Sequence, residues 1–309
     1  MWEKKMPPIQ GEIFLKLSTN GFGVMPKILV ATGLLFALVL LQTAAAQPRS
    51  SPLKSRLAVQ LWSFRHDFAK DVPGTLKRVR ALGFTRVELA GYYGLSARQF
   101  KAELDHAGLA AISLHIDFDE AQTKLDQFIK DAKILGVTQI GVPWINAPFT
   151  KADCEKAIAV FNQAGAKLAR HGITFFYHLH GYEFVPNVGG TGTLFDLLLA
   201  KTNPKFVKLQ LDTFHVAQPG QDPAQLLRKY PGRFVSLHLK DIRKDKLPDN
   251  TGEARDEDGR PLGQGKIDWP AVLKAARQAG IKWYIIEDET PTVWQAIPQS
   301  LRYLESVKF

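Results

Sequence analysis

The sequence predicts a single-domain (β/α)8 barrel, the TIM-barrel fold, over residues 57–309. Eight apolar segments of strand length alternate with eight helical segments, and many of the helical segments end at a glycine. Strands that alternate with helices pair in parallel, and eight such units close into a barrel. The chain has 309 residues, which is enough for one such barrel of about 250 residues.

The strands are identified by short apolar runs, and the helices by amphipathic stretches. The predicted strands are Leu57–Phe64, Thr85–Leu89, Ala111–Ile116, Gln139–Trp144, Thr174–His178, Val207–Asp212, Phe234–Leu239 and Trp283–Glu287. The predicted helices are Thr75–Leu82, Ala97–His106, Leu125–Leu135, Glu155–Arg170, Phe195–Ala200, Pro223–Lys229, Trp269–Ala279 and Thr292–Val307. An open doubly wound sheet is the alternative, but its glycine-rich loop after the first strand has no counterpart in Trp62–Phe68 (WSFRHDF).

Composition is that of an ordinary globular protein, with 45% hydrophobic and 23% charged residues. A single cysteine, Cys154, excludes an internal disulfide framework. The net charge is +10, but the basic residues are scattered over helices and do not form blocks. We therefore interpret the charge as solvated surface and expect no nucleic-acid partner.

The first 46 residues predict a signal peptide. The apolar run Ile28–Leu41 is shorter than the roughly 20 residues that span a bilayer. Lys27 supplies the positive flank before this run. Ala44 and Ala46 fit the small-x-small cleavage rule, which places cleavage after Ala46. An uncleaved membrane anchor is the alternative.

Met25 could be the true start, because MPKILV opens a compact signal peptide, and residues 1–24 would then precede the natural protein. Residues 47–56 (QPRSSPLKSR) form a Pro/Ser linker ahead of the barrel. We expect a secreted or periplasmic protein with no stable membrane insertion after the signal is cleaved.

The segment Phe175–Phe184, FFYHLHGYEF, places two histidines at the end of the fifth strand. Side chains alternate across a strand, so His178 and His180 point the same way and Tyr177 points the other way. Two converging imidazoles indicate a ligand site. A pair of hydrogen-bonded core histidines is the alternative.

Further candidate residues lie in or just after the C-terminal ends of the predicted strands, where active sites of this fold lie. These candidates are Trp62, Glu88, His115, Glu183, Asp212, His215, His238, Lys240 and Glu287. Buried charges are costly unless they are paired or bound to a metal, so packing alone explains such a ring poorly.

Several of these candidates also have a structural interpretation. Glu88 could pair with Arg86 or Arg98 at the surface, His115 could be a core histidine, and Glu183 could cap a turn. The aromatic residues Trp62, Trp144 and Phe214 could be core or rim residues, or could line a sugar pocket. The charged loop Arg243–Pro261 is interpreted as a solvated loop.

Five motifs at the right strands together resemble the xylose-isomerase-like TIM-barrel family, which includes sugar phosphate isomerases/epimerases and the AP-endonuclease-family-2-like fold. The motifs are FFYHLHGYEF, LQLDTFHVAQPG, SLHLKDI, GQGKIDW and YIIEDE. The resemblance implies a divalent metal (Mn, Co, Mg or Zn), held by Glu, Asp, His and Glu on strands five to eight. Matched by motif, the last three ligands are Asp212, His238 and Glu287.

This chain departs from the family pattern on the fifth strand, where His178 stands in place of the carboxylate. His178 is therefore predicted as the fourth metal ligand, and Glu183 is the substitute ligand if His178 is not involved. Two histidines and two carboxylates suit a borderline divalent metal. The loss of one carboxylate weakens an epimerase interpretation, and a similar His-x-His occurs in inosose-dehydratase-like relatives.

The chemistry implied by the family is proton abstraction next to a carbonyl, through an enediolate. Glu287 and His180 are the candidate proton-transfer groups, and Lys240 is the candidate for stabilising the oxyanion. Trp62, Glu88, His115, Glu183 and His215 are the candidate substrate-binding residues.

The sequence therefore predicts an exported, metal-dependent sugar isomerase or epimerase. The alternative is a keto-sugar lyase or dehydratase, either inosose-dehydratase-like or a 3-keto-glycoside lyase. A non-catalytic sugar-binding barrel and a nuclease are less favoured, because the metal ligands are retained and the chain carries an export signal. The expected partner is a small sugar or keto-sugar, and the sequence leaves open whether the protein forms an oligomer.

We predict that the mature chain begins at Gln47, because cleavage follows Ala46. Mass spectrometry of the N-terminus of the protein from its native host measures this directly. An intact residue 1 in a cytoplasmic protein would contradict the signal-peptide prediction.

Overall fold

The computed structural model describes residues 53–309, and these form a closed barrel of eight parallel strands. Each strand pairs with its neighbours in sequence, and the last strand closes the barrel against the first. The predicted single-domain TIM barrel is confirmed. The predicted signal peptide, the proposed start at Met25 and residues 47–52 of the linker lie outside the described residues.

The strands of the barrel are numbered in chain order. They are β1 (Leu57–Gln60), β2 (Arg86–Leu89), β3 (Ala110–His115), β4 (Gln139–Val142), β5 (Thr174–His178), β6 (Val207–Asp212), β7 (Phe234–Leu239) and β8 (Trp283–Ile286). Strand β1 is shorter than predicted, because the side chain of Gln60 accepts a hydrogen bond from the amide of Trp62 and caps a 3-10 helix at Leu61–Phe64.

Within residues 53–309, eight helices surround the strands. They are α1 (Val72–Ala81), α2 (Ala97–Ala107), α3 (Leu125–Leu135), α4 (Lys151–Ala169), α5 (Leu194–Lys201), α6 (Pro223–Lys229), α7 (Trp269–Gln278) and α8 (Val293–Ser306). Helix α4 begins earlier than predicted, because Thr150 and Asp153 form a capping box at its start. Shorter helices lie in the loops, at Lys54–Arg56, Arg65–Phe68, Phe118–Thr123, Tyr182–Phe184 and Thr213–Ala217.

Strand register places polar residues beside one another near the C-terminal ends of the strands. Gln60 of β1 pairs with Glu88 of β2, and Asp212 of β6 pairs with His238 of β7. Neighbours in register present their side chains on the same face of the sheet. The strands thus deliver the predicted site residues to one end of the barrel interior, while apolar residues fill the space between the strands and the helices.

The loop after β7 is more ordered than a solvated loop. It contains a short antiparallel pair, Asp241–Ile242 with Gly259–Arg260, and both Asp258 and Gly252 are buried. Most of Arg243–Pro261 is exposed, as the solvated-loop interpretation expects, but Lys246, Gly252 and Asp258 are buried. The reason is that this segment folds over the mouth of the barrel and makes tertiary hydrogen bonds there.

No helix within residues 53–309 is both long enough and apolar enough to cross a membrane.

We predict that Gly141→Ala destabilises the fold. A Cβ at this position in β4 would overlap the ring of Phe176, which is fully buried in the barrel. Overpacking of this kind costs about 1–3 kcal/mol. Urea denaturation measures the loss, and the double variant Gly141→Ala/Phe176→Leu is the control. If the contact with the ring is the cause, the double variant loses less stability than the two single variants added together.

Candidate active site

A cavity of about 300 Å³ opens at the C-terminal ends of the strands. Its polar lining includes His115, His178, His180, His215 and Glu287. Its apolar lining includes Trp62, Phe118, Pro143, Trp144, Ile145 and Ala254. A deep, partly apolar cavity with convergent polar groups is the usual form of a small-molecule site.

Asp212 carries a buried oxygen that no described group satisfies. Its Oδ1 accepts the amides of Phe214 at 2.7 Å and His215 at 3.0 Å, which caps the helix after β6. Its Oδ2 is buried and has no hydrogen-bond partner among residues 53–309. Burial raises the pKa of Asp212 to about 7, against the opposing charge of Lys240. An orphaned carboxylate oxygen at this depth is the position expected of a cation ligand.

His238 lies between two carboxylates. Its Nδ1 is 3.1 Å from Oε2 of Glu287, and its Nε2 contacts Oε1 of Glu88. Burial alone would lower the pKa of His238, but Glu88 and Glu287 more than offset that effect and raise it to about 10. The same negative field favours any cation held beside this ring.

Glu88 lies one layer below the cavity and is fully buried. It accepts hydrogen bonds from Gln60 at 2.9 Å, from Ser113, and from Gln210 at 2.9 Å. It does not line the cavity, and it does not pair with Arg86 or Arg98 among the ion pairs of the described residues. The structure thus places Glu88, a predicted substrate-binding residue, beneath the cavity and not in its lining.

His178 presents one free nitrogen toward Asp212. Its Nδ1 is 2.8 Å from Oε1 of Gln210, an acceptor, so Nδ1 carries the proton and Nε2 has the lone pair. Nε2 lies 3.9 Å from Oδ2 of Asp212. Burial lowers the pKa of His178 well below its ordinary value, which favours a neutral ring. The ring is therefore prepared to act as a ligand.

His180 is held by the loop after β7. Its Nδ1 donates to the carbonyl oxygen of Gly252 at 2.9 Å, which leaves Nε2 as an acceptor. Burial lowers the pKa of His180 to about 4. The two imidazoles lie with ring centroids 4.9 Å apart, so His178 and His180 converge as the alternation in β5 predicted.

Glu183 points away from the cavity. Its Oε1 accepts from the hydroxyl of Tyr177 and, at 3.0 Å, from the amide of His180. It is fully buried and does not line the cavity. A left-handed residue, Gly181 (φ 85°), separates His180 from the short helix that carries Glu183. The structure therefore does not bring Glu183 to substrate, and His178 faces Asp212 in its place.

Lys240 and Trp62 meet at Glu289 on the rim of the cavity. The Lys240 Nζ contacts Oε1 of Glu289 and lies 3.6 Å from Oε2 of Glu287. Trp62 Nε1 donates to the other oxygen of Glu289 at 3.0 Å. Burial alone would lower the pKa of Lys240, but the carboxylates of Glu289 and Glu287 raise it well above its ordinary value. Lys240 is therefore a fixed cation beside Glu287.

His115 and His215 complete the wall of histidines. His115 Nε2 is 3.1 Å from Oε1 of Gln210, and this nitrogen also lies 3.2 Å from Glu88. The His215 ring lies 4.2 Å from that of His180, and burial lowers its pKa well below the ordinary value. Both line the cavity as predicted for substrate-binding candidates.

Sequence reasoning missed Gln210, whose amide connects Glu88 to His178 and His115. A signal was present, because Gln210 precedes Asp212 by two residues in an apolar strand and so shares its inward face. It also missed Gly252, and no local pattern marks a loop glycine as a contact of His180.

Among residues 53–309, three groups of side chains have ligand atoms close enough to hold a metal ion. One group is Asp212, His238 and Glu287, whose ligand atoms lie within 4.8 Å of one another. His178 faces the same oxygen of Asp212. Imidazole and carboxylate donors suit a borderline divalent metal, so the residues present fit such an ion.

Residues 76–309 match the family described as xylose isomerase-like TIM barrel, and the chain belongs to that family. The predicted resemblance is confirmed.

Several sequence relatives carry the name inosose dehydratase. The protein from Mesomycoplasma hyopneumoniae strain 7448 is 34% identical over 99 residues, which is 32% of this chain and 32% of that protein. The protein from Geobacillus kaustophilus is 26% identical over 260 residues, covering 71% of this chain and 83% of that protein. The match to the first relative thus spans about a third of its length.

A solved structure, a sugar phosphate isomerase/epimerase from Parabacteroides distasonis, has the same fold with a TM-score of 0.67. It is 23% identical, and the match covers 82% of this chain and 98% of that chain. Proteins named as isomerase/epimerase and as dehydratase therefore both occur among the relatives.

We predict that Asp212→Ala abolishes binding of a divalent metal, because it removes the orphaned Oδ2. Metal content by plasma mass spectrometry measures the loss. Asp212→Asn is the matched variant, because its remaining oxygen can still accept the amides of Phe214 and His215. This variant is expected to be as stable as the wild type. Its affinity for the metal is nevertheless expected to be at least about tenfold lower than that of the wild type. Full metal occupancy in Asp212→Ala would show that the ligand assignment is wrong.

Proposed function

We propose that the protein is an exported, metal-dependent enzyme that removes a proton next to the carbonyl of a sugar or keto-sugar. The observation that carries the proposal is the orphaned Oδ2 of Asp212, which lies 3.7 Å from His238 and 3.9 Å from His178. A sugar-binding barrel without catalysis would have no use for such an arrangement beneath its cavity.

The proposed ligands are His178, Asp212, His238 and Glu287. A divalent metal held there would act as a Lewis acid that polarises the carbonyl and makes the neighbouring C–H more acidic. Glu88 would orient His238 through its Nε2, since a metal-bound histidine is usually held by a hydrogen bond to its other nitrogen. Gln210 would do the same for His178.

His180 is the proposed proton-transfer group. Its Nε2 is an acceptor, because Nδ1 donates to Gly252, and its neutral form is favoured by burial. It lines the cavity beside His178, within reach of a bound substrate. General acid–base groups of this kind contribute about 10²–10⁴-fold to the rate.

Glu287 and Lys240 form the opposite side of the proposed reaction centre. Burial alone would raise the pKa of Glu287, but Lys240 and His238 hold it well below the ordinary value, so the carboxylate stays ionised. Lys240 does not line the cavity, so as a buried cation 3.6 Å from Glu287 it would offset negative charge on the substrate oxygen only at a distance. A carboxylate with so low a pKa is a weak proton acceptor, so Glu287 is proposed as a metal ligand and not as the base.

Elimination to a dehydrated or cleaved product is the outcome that we favour over epimerisation. Epimerisation returns the proton to the opposite face of the carbon and is served by two bases, and the second carboxylate, Glu183, points away from the cavity. Elimination needs a base for the proton beside the carbonyl and a proton for the leaving hydroxyl. His180 could take the first proton and, once protonated, deliver it to the leaving hydroxyl, which departs as water. The name inosose dehydratase among the relatives supports this outcome. Epimerisation is the second candidate, supported by the isomerase/epimerase of the same fold.

We predict that the substrate proton beside the carbonyl exchanges with solvent in heavy water, or shows a primary isotope effect when it is replaced by deuterium. Product analysis by NMR separates the outcomes, because an epimerase returns solvent deuterium to the sugar and a lyase yields an unsaturated or deoxy product. Keto-sugars such as inosose and 3-keto-glycosides are the first substrates to test.

His180→Asn is expected to lower turnover by about 10²–10⁴-fold while metal content stays unchanged. The asparagine amide can still donate to the carbonyl of Gly252, so the loop after β7 keeps its anchor. Full activity in this variant, or turnover by a hydride shift without solvent exchange, would refute the proposed mechanism.

A further inference from the structure

The charged side chains that line the cavity are all acidic. Among residues 53–309, no lysine or arginine lines it. The acidic residues of the lining are Asp117, Asp119, Glu253, Glu287 and Glu289. This negative charge is confined to the cavity lining, since the chain as a whole carries a net charge of +10.

The nearest cations are already engaged with carboxylates. Lys240 contacts Glu289 and lies 3.6 Å from Glu287. Arg65 lies 3.7 Å from Glu289 and sits over the ring of Trp62, with 5.0 Å between the guanidinium carbon and the ring centroid. Neither is available as a receptor for an anionic ligand without giving up its carboxylate partner.

A small side pocket near Lys240 offers no alternative site for a phosphate. It is lined by Arg255 and Arg260 in addition to Lys240, but its volume is only about 10 Å³, which is roughly the space of one water molecule. Arg260 also donates to the carbonyl oxygens of Glu257 and Gly259, at 2.7 and 2.6 Å.

A metal ion in the proposed site would not make the charge of the cavity lining positive. Two positive charges would be balanced by the carboxylates of Asp212 and Glu287, which are two of the proposed ligands. Of the other four carboxylates of the lining, Glu289 is offset by Lys240 and Arg65, and Asp117, Asp119 and Glu253 keep the lining acidic.

The walls of the cavity suit the apolar face of a ring. The indole of Trp62 is fixed by its hydrogen bond to Glu289 at 3.0 Å. Trp144 meets the rings of His180 and Tyr182 edge-on, at centroid distances of 4.8 and 5.2 Å. Rigid aromatic walls with a few polar groups are typical of small-molecule sites.

We propose that this cavity selects an uncharged sugar-type ring and rejects sugars that carry a phosphate or a carboxylate. The proposal rests on the proposed function and names the substrate class of the same site. Hydroxyl groups can donate hydrogen bonds to the acidic lining, whereas an anion can only be repelled by it. Repulsion of the wrong ligand is an effective source of specificity.

The first test compares the binding of glucose, glucose 6-phosphate and glucuronate to the full mature chain by calorimetry. The protein is used both metal-loaded and after chelation, because a phosphate could otherwise bind the metal itself. Glucose is expected to bind at least about tenfold more tightly than either anion in both forms. The difference should narrow as the salt concentration rises from about 0.01 M to about 1 M, since salt screens the repulsion.

The second test neutralises two exposed acidic residues of the lining in the variant Asp119→Asn/Glu253→Gln. The ratio of glucose affinity to glucose 6-phosphate affinity is expected to fall by about threefold or more at low salt. The matched control is Asp126→Asn/Glu257→Gln, which makes the same change of charge at exposed positions outside the cavity lining. The control is expected to keep the wild-type ratio.

The proposal is overturned if glucose 6-phosphate binds the chelated protein as tightly as glucose, if neither sugar binds, or if the control variant lowers the ratio as much as the cavity variant. Its failure is separable from that of the proposed function. If no sugar is turned over but glucose still outcompetes the anions, only the proposed function fails. If a keto-sugar and its phosphate ester are turned over equally well, the proposed function stands and the selectivity proposal fails.

Discussion

The carboxylate of Glu88 sets the direction of the hydrogen bonds throughout the buried layer beneath the cavity. An ionised carboxylate can only accept, so Gln210 must present its amide nitrogen to Glu88 and turn its oxygen the other way. That oxygen then accepts the Nδ1 proton of His178, which leaves the other nitrogen of this ring free. The buried charge of Glu88 therefore determines which ring nitrogen of His178, namely Nε2, is available for a ligand.

The same carboxylate stabilises the protonated form of His238. It would also stabilise His238 when the ring binds a metal ion. A buried charge would be costly without partners, and Glu88 is satisfied by Gln60, Ser113 and Gln210 as well as by His238. Removing a partner would leave charge uncompensated, so the layer is held together as a network. The barrel accepts this polar layer because the large apolar core between strands and helices supplies the stability of the fold.

The loop after β7 connects the rim of the barrel to the proposed reaction centre. Gln218 donates from its amide nitrogen to Asp249 at 2.9 Å, to Thr251 at 3.2 Å and to the carbonyl oxygen of Glu253 at 2.9 Å. These bonds hold Gly252 where its carbonyl oxygen accepts from His180. A residue with a Cβ would meet Tyr182 at this position, and the φ of +73° also favours glycine. The loop thus places the acidic side chain of Glu253 in the cavity lining and holds His180 through the carbonyl oxygen of Gly252.

The sequence by itself determined the barrel, because the alternation of strands and helices is a local pattern and eight repeats leave few ways to bury every apolar face. It also identified the strand ends that carry Asp212, His238 and Glu287, since position along a strand decides which end of the barrel a residue reaches. Only the tertiary structure decided that Glu88 lies beneath the cavity and that Glu183 points away from it, because depth and direction depend on register and on the turn at Gly181. The bond between Gly252 and His180 likewise joins residues 72 positions apart in the chain, and no local pattern encodes a contact made by closing a long loop over the barrel.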